Sequence, residues 1–378
     1  MKYTRSLSPR CLLPLFAAAM LFPTTFATSG TLRIVDWNIE DDINGNTTPL
    51  PGFNTVLQGM GNEIIGGVAQ PIDIMTLEET TSNATTVQPI LNMLNGDYAG
   101  ANYQMSTYQA TQNGSNASGN GPNAVVYNAN TVTLVGSVGV GTPQGSSNGE
   151  YRQVVRYEFQ PVGDSGQNGI FYVYVSHMKS GSSSADATAR GQEATLIRND
   201  EATLPATASV LYTGDLNSNP PEAEFTNFTA AGQGQAYDPL SFSTSTKYWS
   251  DSTNGSGLRY RDDYQLMTQN VLNGSGAIDY VSSSLEAFGN NGTVASGSSV
   301  NSASNTDMAY MTAAAGYSPT GSQVLAALDT ASDHYPNVAD YTFTPAPEPG
   351  TLATLAAAAI TCLAARAWRR HRAGRRSK

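Results

Sequence analysis

His177 and His334 are the residues best placed to do chemistry in this chain. Only three histidines occur in 378 residues, and the third, His371, lies in a basic C-terminal run. His334 stands in Ser332-Asp333-His334-Tyr335-Pro336 and His177 in Tyr174-Val175-Ser176-His177-Met178-Lys179-Ser180. Between them lies Gly214-Asp215-Leu216-Asn217. Imidazoles beside acids and amides, at the ends of apolar runs, suit phosphate chemistry. They can hydrogen-bond phosphate oxygens or serve a leaving group. Asn38, Glu78, Glu79 and Asp333 add oxygen donors, which are hard ligands suited to Mg²⁺. That ion keeps several waters and binds through one or two carboxylates plus substrate phosphate. The closely spaced His and Cys ligands of a zinc site are missing. So is the Gly-rich GK[ST] loop of one class of nucleotide-triphosphate sites.

Short apolar runs deliver these residues. Strand-like segments span 31–37, 71–77, 123–128, 151–160, 169–177, 208–215, 263–271 and 339–344. The first ends at Asn38, the second at Glu78 and Glu79, the fifth at His177 and the sixth at Asp215, while Asp333 and His334 precede the last. Strand ends bordering a crevice are a common place for chemistry in α/β layers. Helical patterns are fewer: one from Asn83 to Leu94, another from Ala185 to Leu204 with Ala189, Ala194, Leu196 and Ile197 as its buried side. Many strands with a few helices suggest two packed sheets with helices outside. The Gly/Ser/Asn-rich stretches 111–122, 141–150 and 288–305 read as loops without core-building capacity. Glu78 reads as a surface neighbour of Glu79. Asp41-Asp42-Ile43-Asn44-Gly45-Asn46 reads as a solvated loop, with an accessory Ca²⁺ as the alternative.

The ends read as sorting signals. Lys2, Arg5 and Arg10 precede an apolar core, Cys11 to Phe22, and Thr25-Phe26-Ala27 offers a small-residue cleavage site, so residues 1–27 form a secretory signal peptide. About 12 apolar residues are too few to span a bilayer. At the other end Pro347-Glu348-Pro349, an apolar stretch from Thr351 to Ala365 and seven basic residues follow in order. The basic block holds that end on the cytoplasmic side. Both cysteines, Cys11 and Cys362, lie in these ends, so residues 31–344, a single domain, must be held by their core without disulfides. The exported domain keeps nine basic and 29 acidic residues, a net charge of about −20. Such a surface repels polyanions at a distance and argues against a protein that coats nucleic acid. An enzyme meeting a phosphodiester only at a metal-loaded cleft remains open.

The motif order resembles the endonuclease/exonuclease/phosphatase superfamily, the DNase-I-like phosphoesterases. Trp37-Asn38, Leu77-Glu78-Glu79-Thr80, the strand ending at His177, Gly214 to Asn217 and Ser332 to Pro336 carry the resemblance over nearly the whole exported domain. It implies an α/β (α+β) fold, a four-layered α-β-β-α sandwich of two packed mixed β-sheets flanked by helices. It further implies that Glu79 holds Mg²⁺ or Mn²⁺ with Asn38 and Asp333. Asp215 would activate the attacking water, Asn217 bind a phosphate oxygen, and His177 and His334 stabilise transition-state charge. A further acid orients His334. Asp263, in Arg261-Asp262-Asp263-Tyr264, is favoured over Asp279, in Ile278-Asp279-Tyr280. His177-Met178-Lys179-Ser180 followed by Arg190-Gly191-Gln192 is similar to secreted bacterial nucleases of the family, which implies that Lys179 and Arg190 face phosphate; ordinary surface charge is the alternative. Residues 345–378 resemble the PEP-CTERM sorting tail, which implies a membrane protease as partner and a cell-surface or matrix destination.

The leading expectation is an exported, metal-dependent phosphodiesterase acting on DNA or RNA, working as a monomer. A phosphatase or a phospholipid or sphingolipid diesterase would use the same site, with Tyr248-Trp249 as the one hint of a lipid-facing loop. A matrix protein without catalysis is a reading of another class, and the intact motif residues weigh against it.

Overall fold

Two mixed sheets form the centre of the molecule, and both are built around a parallel pair of strands. The computed structural model describes residues 30–40, 48–65, 67–107, 122–141, 153–164, 169–252 and 257–344, with 361 and 366. The signal 1–27, most of the tail 345–378, the 41–46 loop and nearly all of the loops 111–122 and 141–150 lie outside the described residues. Thr28–Ala346 is one compact unit. Among the described residues no helix is long and apolar enough to cross a membrane.

The strands are β1 (Gly30–Asn38), β2 (Ile74–Glu78), β3 (Tyr103–Met105), β4 (Ala124–Asn128), β5 (Val132–Val140), β6 (Val154–Pro161) and β7 (Phe171–Val175). They continue as β8 (Ser209–Asp215), β9 (Ala236–Tyr237), β10 (Asp263–Thr268), β11 (Asp279–Tyr280), β12 (Glu286–Ala287) and β13 (Asn337–Phe343). One sheet runs β11-β13-β1-β2-β4-β3, with β12 also on β13; the other runs β9-β10-β8-β7-β6-β5. β1 and β2 are parallel with Asn38 opposite Glu78, and β7 and β8 are parallel with Val175 opposite Thr213. All other pairings within the two sheets are antiparallel.

Alternation along β1 and β2 builds the layers. Leu32, Ile34 and Ile74 face the second sheet and pack with Phe159, Phe171, Val173 and Leu211. Val35, Trp37, Met75 and Leu77 face the other way, onto α1 (Phe53–Asn62), α2 (Gln88–Asp97) and α6 (Gly321–Ala331). Tyr174, Tyr212 and Val210 pack beneath α3 (Ser184–Glu201) and α4 (Ala223–Thr229). The result is the α-β-β-α sandwich. Period-2 alternation also corrects one expectation. Glu78 follows Ile74 and Thr76 onto the inter-sheet face, so it is fully buried and is no surface neighbour.

Other boundaries differ for local reasons. The 263–271 run stops at Thr268, whose following residues Gln269–Leu272 form one helical turn, α5. β5 was hidden because glycine, serine and half-exposed valines interrupt its alternation. α1 was hidden by its two glycines, one of which, Gly59, leaves no room for a Cβ against Val324. The stretch 288–305 does build core: Phe288, Val294 and Val300 are buried on the α1/α6 side. Helix α3 starts at a capping box, Ser183 with Asp186, near its expected position.

Arg33 ties these layers together at the end of β1 remote from Asn38. It is fully buried, and its guanidinium makes a bidentate pair with Asp340 at 2.9 and 3.0 Å. The remaining donors go to the carbonyls of Met60, Glu63, Val68 and Gln70. Removing one partner leaves a buried charge uncompensated, which costs about 3–5 kcal/mol. Arg33→Met should therefore lower unfolding free energy by about that amount in urea titration, and a loss under about 1 kcal/mol would show that the pair is not holding β1 to β13.

Candidate active site

The C-terminal ends of both parallel pairs open on one place, and six separate segments place side chains there. Asn38 Nδ2 lies 3.3 Å from Glu79 Oε1 and 3.2 Å from Asp215 Oδ2. His177 Nε2 lies 3.5 Å from each of the same two carboxylates. His334 Nε2 is 3.9 Å from Asp215 Oδ2 and 4.0 Å from Asp333 Oδ1. Asn217 donates to Asp215 through its side chain at 2.9 Å and its backbone N–H at 2.8 Å. Asn38, Glu79, His177, Asp215, Asn217, Asp263, His334 and Asp333 are thus gathered at a single cluster.

Unusual backbone occurs at two of them and at one neighbour. Glu40, Glu79 and Asn217 have φ of 54°, 57° and 52°, a region that non-glycine residues enter at some cost. The turn at Glu79 takes its side chain off the inter-sheet face that Glu78 occupies. Gly214 has φ 131°, and a Cβ there would meet Ser176 O at 1.8 Å. The strand delivering Asp215 can therefore lie against the strand delivering His177 only with glycine before the acid.

Asp263 rather than Asp279 partners the histidine. Asp263 Oδ2 lies 2.8 Å from His334 Nδ1 and also accepts from the Ser250 hydroxyl. Asp279 pairs with Thr342 near the far end of β13, whereas His334 precedes the start of that strand at Asn337. Five residues of strand separate the two places, roughly 17 Å. Burial pulls the His334 imidazolium down, but the Asp263 and Asp215 carboxylates outweigh this and hold it well above its ordinary value.

Carboxylates are in excess here. Burial, then Asp333, pushes Glu79 up to about 8. Burial does the same for Glu40, with Asp333 adding to it, to about 7. Behind them Asp36 is raised to about 7 by burial, and Glu78 is raised well above the carboxylate range by burial and by Asp36. Glu79 Oε2 is buried with no hydrogen-bond partner among the described residues. One buried carboxylate oxygen without a donor, on a residue that shares its Asn38 and His177 neighbours with a second acid, Asp215, fits a hard divalent cation. Among the described residues no three or more His, Cys, Asp or Glu are arranged to hold a metal by themselves. Mg²⁺ does not require that many, since waters and substrate complete its shell. Glu79 and Asn38 are the residues that would hold it, with Asp333 half-buried nearby.

Lys179 and Arg190 are occupied elsewhere. The Arg190 side chain is 2% exposed and pairs with Glu222 and Glu224, and two more donors go to the carbonyls of Lys179 and Gly181. It locks α3 to α4 and the His177 loop, which corrects both the phosphate-facing and the surface-charge expectations. Lys179 Nζ sits 3.3 Å from Asp186 and donates to Ser180 O. Tyr248 and Trp249 are half-buried, Trp249 against the α1/α6 core, rather than a lipid-facing tip. Sequence reasoning missed the serines. Ser332 Oγ donates to Asn38 O at 2.7 Å, joining the His334 loop to β1, and Ser250 braces Asp263. Ser332 opens Ser332-Asp333-His334-Tyr335-Pro336; Ser250 has no local signal.

The family model described as Endonuclease/Exonuclease/phosphatase family matches residues 42–334. The endonuclease/exonuclease/phosphatase from Bacteroides vulgatus is similar in structure, with a TM-score of 0.51 at 13% identity, covering 83% of this chain and 99% of that one. The human Nocturnin catalytic domain with bound sulfate anion gives 0.49 at 17% identity, covering 83% and 94%. D. rerio TDP2 complexed with single strand DNA product gives 0.48 at 14% identity, covering 82% and 99%. At these identities a likeness speaks to the fold alone, and the first of the three carries it. No curated protein sequence matches the chain.

The Asp263–His334 pair makes a titration prediction for the metal-free protein. A folded pKa above the unfolded value of about 6.5 means that the pair stabilises fully below that pH. The contribution is then lost as pH rises through the folded value. Asp263→Asn should lower the His334 pKa in an NMR titration and flatten that pH dependence, while Asp279→Asn should change neither. Equal effects from both substitutions would remove Asp263 from its assigned place.

Proposed function

Because the chain belongs to the endonuclease/exonuclease/phosphatase family, we propose that it is a divalent-metal-dependent phosphodiesterase that hydrolyses DNA or RNA by attack of water on phosphorus. The observation that carries the reading is the buried, unpartnered Glu79 oxygen within a cluster that also holds Asp215, His177 and His334. A divalent ion bound there would polarise the phosphoryl group and offset charge on the leaving oxygen. Asp215 accepts the proton of the attacking water, and two donors from Asn217 hold its carboxylate in place. His334, kept cationic by Asp263, and His177 donate to the phosphate oxygens as their charge grows. Asn38 fixes Glu79 and Asp215 relative to each other.

A recess of about 200 Å³ beside the site favours a nucleic acid over a small monoester. Asn219, Trp249, Tyr260, Arg261 and Tyr264 line it, and Tyr260 is 54% exposed. Asn219 also reaches Asp262 at 3.3 Å, next to the Asp263 that orients His334. A nucleobase stacked on an aromatic ring gains about 1–3 kcal/mol without sequence preference. The acidic exterior keeps capture weak and salt-sensitive. We extend the reading to export: a cleaved leader at 1–27, and a tail at 345–378 processed by a membrane protease for the cell surface or matrix.

Turnover of single-stranded DNA, RNA, sphingomyelin, bis-p-nitrophenyl phosphate and p-nitrophenyl phosphate by the full chain tests this. Diester hydrolysis should appear with Mg²⁺ or Mn²⁺ and vanish in excess EDTA. Tyr260→Ala should raise KM for single-stranded DNA roughly tenfold, equivalent to about 1.4 kcal/mol of lost stacking, and leave the small diester unchanged. Activity that survives EDTA, or confined to the monoester or the lipid, would contradict the proposal.

A further inference from the structure

A second concavity lies at the opposite end of the second sheet. A cavity of about 790 Å³ is walled by Val135, Glu158, Ile170, Tyr172, Thr207 and Ser275. It continues into a cleft of about 320 Å³ that includes Glu201, Gln235, Tyr237, Asn270 and Asn273, the two sharing Thr207, Ala208 and Ser275. Ile170 and Ala208 precede β7 and β8, whose other ends lead to His177 and Asp215. Seven residues of β8 put roughly 20 Å between the groove and the phosphate site.

The wall chemistry is specific. Among the described residues no Lys, Arg or His lines either part. The nearby Arg156 is already bound to Glu158 at 3.0 Å and to Asp200. Amides and hydroxyls from Gln235, Asn270, Asn273, Thr207, Ser275 and Tyr237 dominate one part. The other part offers Ile170, Tyr172 and the half-exposed Val135.

Glu201 supplies the independent sign of a ligand. It is 1% exposed and forms part of the cleft wall; the Gln233 side chain lies by its carboxylate, yet Oε2 itself has no hydrogen-bond partner among the described residues. A buried acceptor left without a donor costs about 1–3 kcal/mol, and a ligand hydroxyl would recover it. The neighbouring turn is built around this carboxylate. Gly234 has φ 67°, and a Cβ there would fall 1.9 Å from Oε2. Gln233 pins the turn to the carbonyls of Glu201 and Leu204.

We propose that this groove binds a neutral saccharide chain, with Glu201 and the amides taking hydroxyls and the Tyr172–Ile170 wall taking the C–H faces of the sugar rings. The inference is independent of the phosphate chemistry. An amine ligand is disfavoured because Glu158 already has its cation, the charge of Arg198 already acts on Glu201, and the rest of the polar wall is uncharged.

The test uses the purified full chain in calorimetric titrations with maltohexaose, cellohexaose and laminarihexaose. At least one should bind saturably. Thr207→Trp, at the exposed waist shared by both parts, should weaken that binding at least tenfold without moving the thermal midpoint. Glu201→Gln should weaken it by roughly fivefold, equivalent to about 1 kcal/mol. If the Glu201 variant does not fold, the Thr207 variant decides alone. Failure of all three hexasaccharides to bind, undiminished binding by Thr207→Trp, or binding of spermidine in their place would overturn the proposal.

Discussion

Too many carboxylates meet where the two sheets close, and much of the surrounding structure answers that constraint. Glu78 and Asp36 lie fully buried between the sheets, with Asp263, Asp215 and Glu79 at the edge above them. Removing a carboxylate from water costs several kcal/mol unless a partner compensates it. Partial compensation is visible. His334 is kept cationic against Asp263, Asn38 and Asn217 donate to Asp215, and Ser250 braces Asp263 from below. Deeper in, protons do the work: burial raises Asp36 and Glu78, so each tends to hold its proton. Several carboxylate oxygens here still lack a hydrogen-bond partner among the described residues, Asp36 Oδ2, both oxygens of Glu78 and Asp263 Oδ1 with them, and Glu79 Oε2 is the one on a residue that also meets Asn38 and His177.

Geometry and strain serve the same end. Two parallel strand pairs, one in each sheet, end side by side, so acids and imidazoles from distant parts of the chain arrive pre-positioned. Left-handed backbone at Glu40, Glu79 and Asn217 is tolerated because the strands behind these residues are buried on both faces and cannot relax. Arg33 at one end of β1 and Trp37 Nε1, which donates to His334 O at 2.8 Å, hold the same strand at both ends. A rigid scaffold of this kind presents preorganised charge at the site.

Much of this was legible from residue order. Asn38, Glu79, His177 and Asp215 each end an apolar run, and the runs are strands because both faces are buried. His334 and Asp333 were legible from their place just before the last strand. The failures have physical causes. Glu78 was misread because adjacency to Glu79 was weighed above the alternation Ile74, Thr76, Glu78. Arg190 was misread because its partners, Glu222 and Glu224, are more than 30 residues away and belong to a helix that carries no strong pattern. β5 and the core contribution of 288–305 were lost because sparse apolar residues among glycine and serine give no periodicity. Ser250 acts only through tertiary contact.

The proposed function requires one divalent ion at Glu79 to complete the cluster. Titration of Mn²⁺ into the purified protein, followed by the loss of its free-ion paramagnetic resonance signal, tests this without any assumed substrate. One equivalent should bind to the wild-type chain, and Glu79→Gln should weaken binding at least tenfold, about 1.4 kcal/mol, with the fold intact. Mn²⁺ binding that is unaffected by Glu79→Gln, or absent from a chain that still hydrolyses phosphodiesters, would contradict the account.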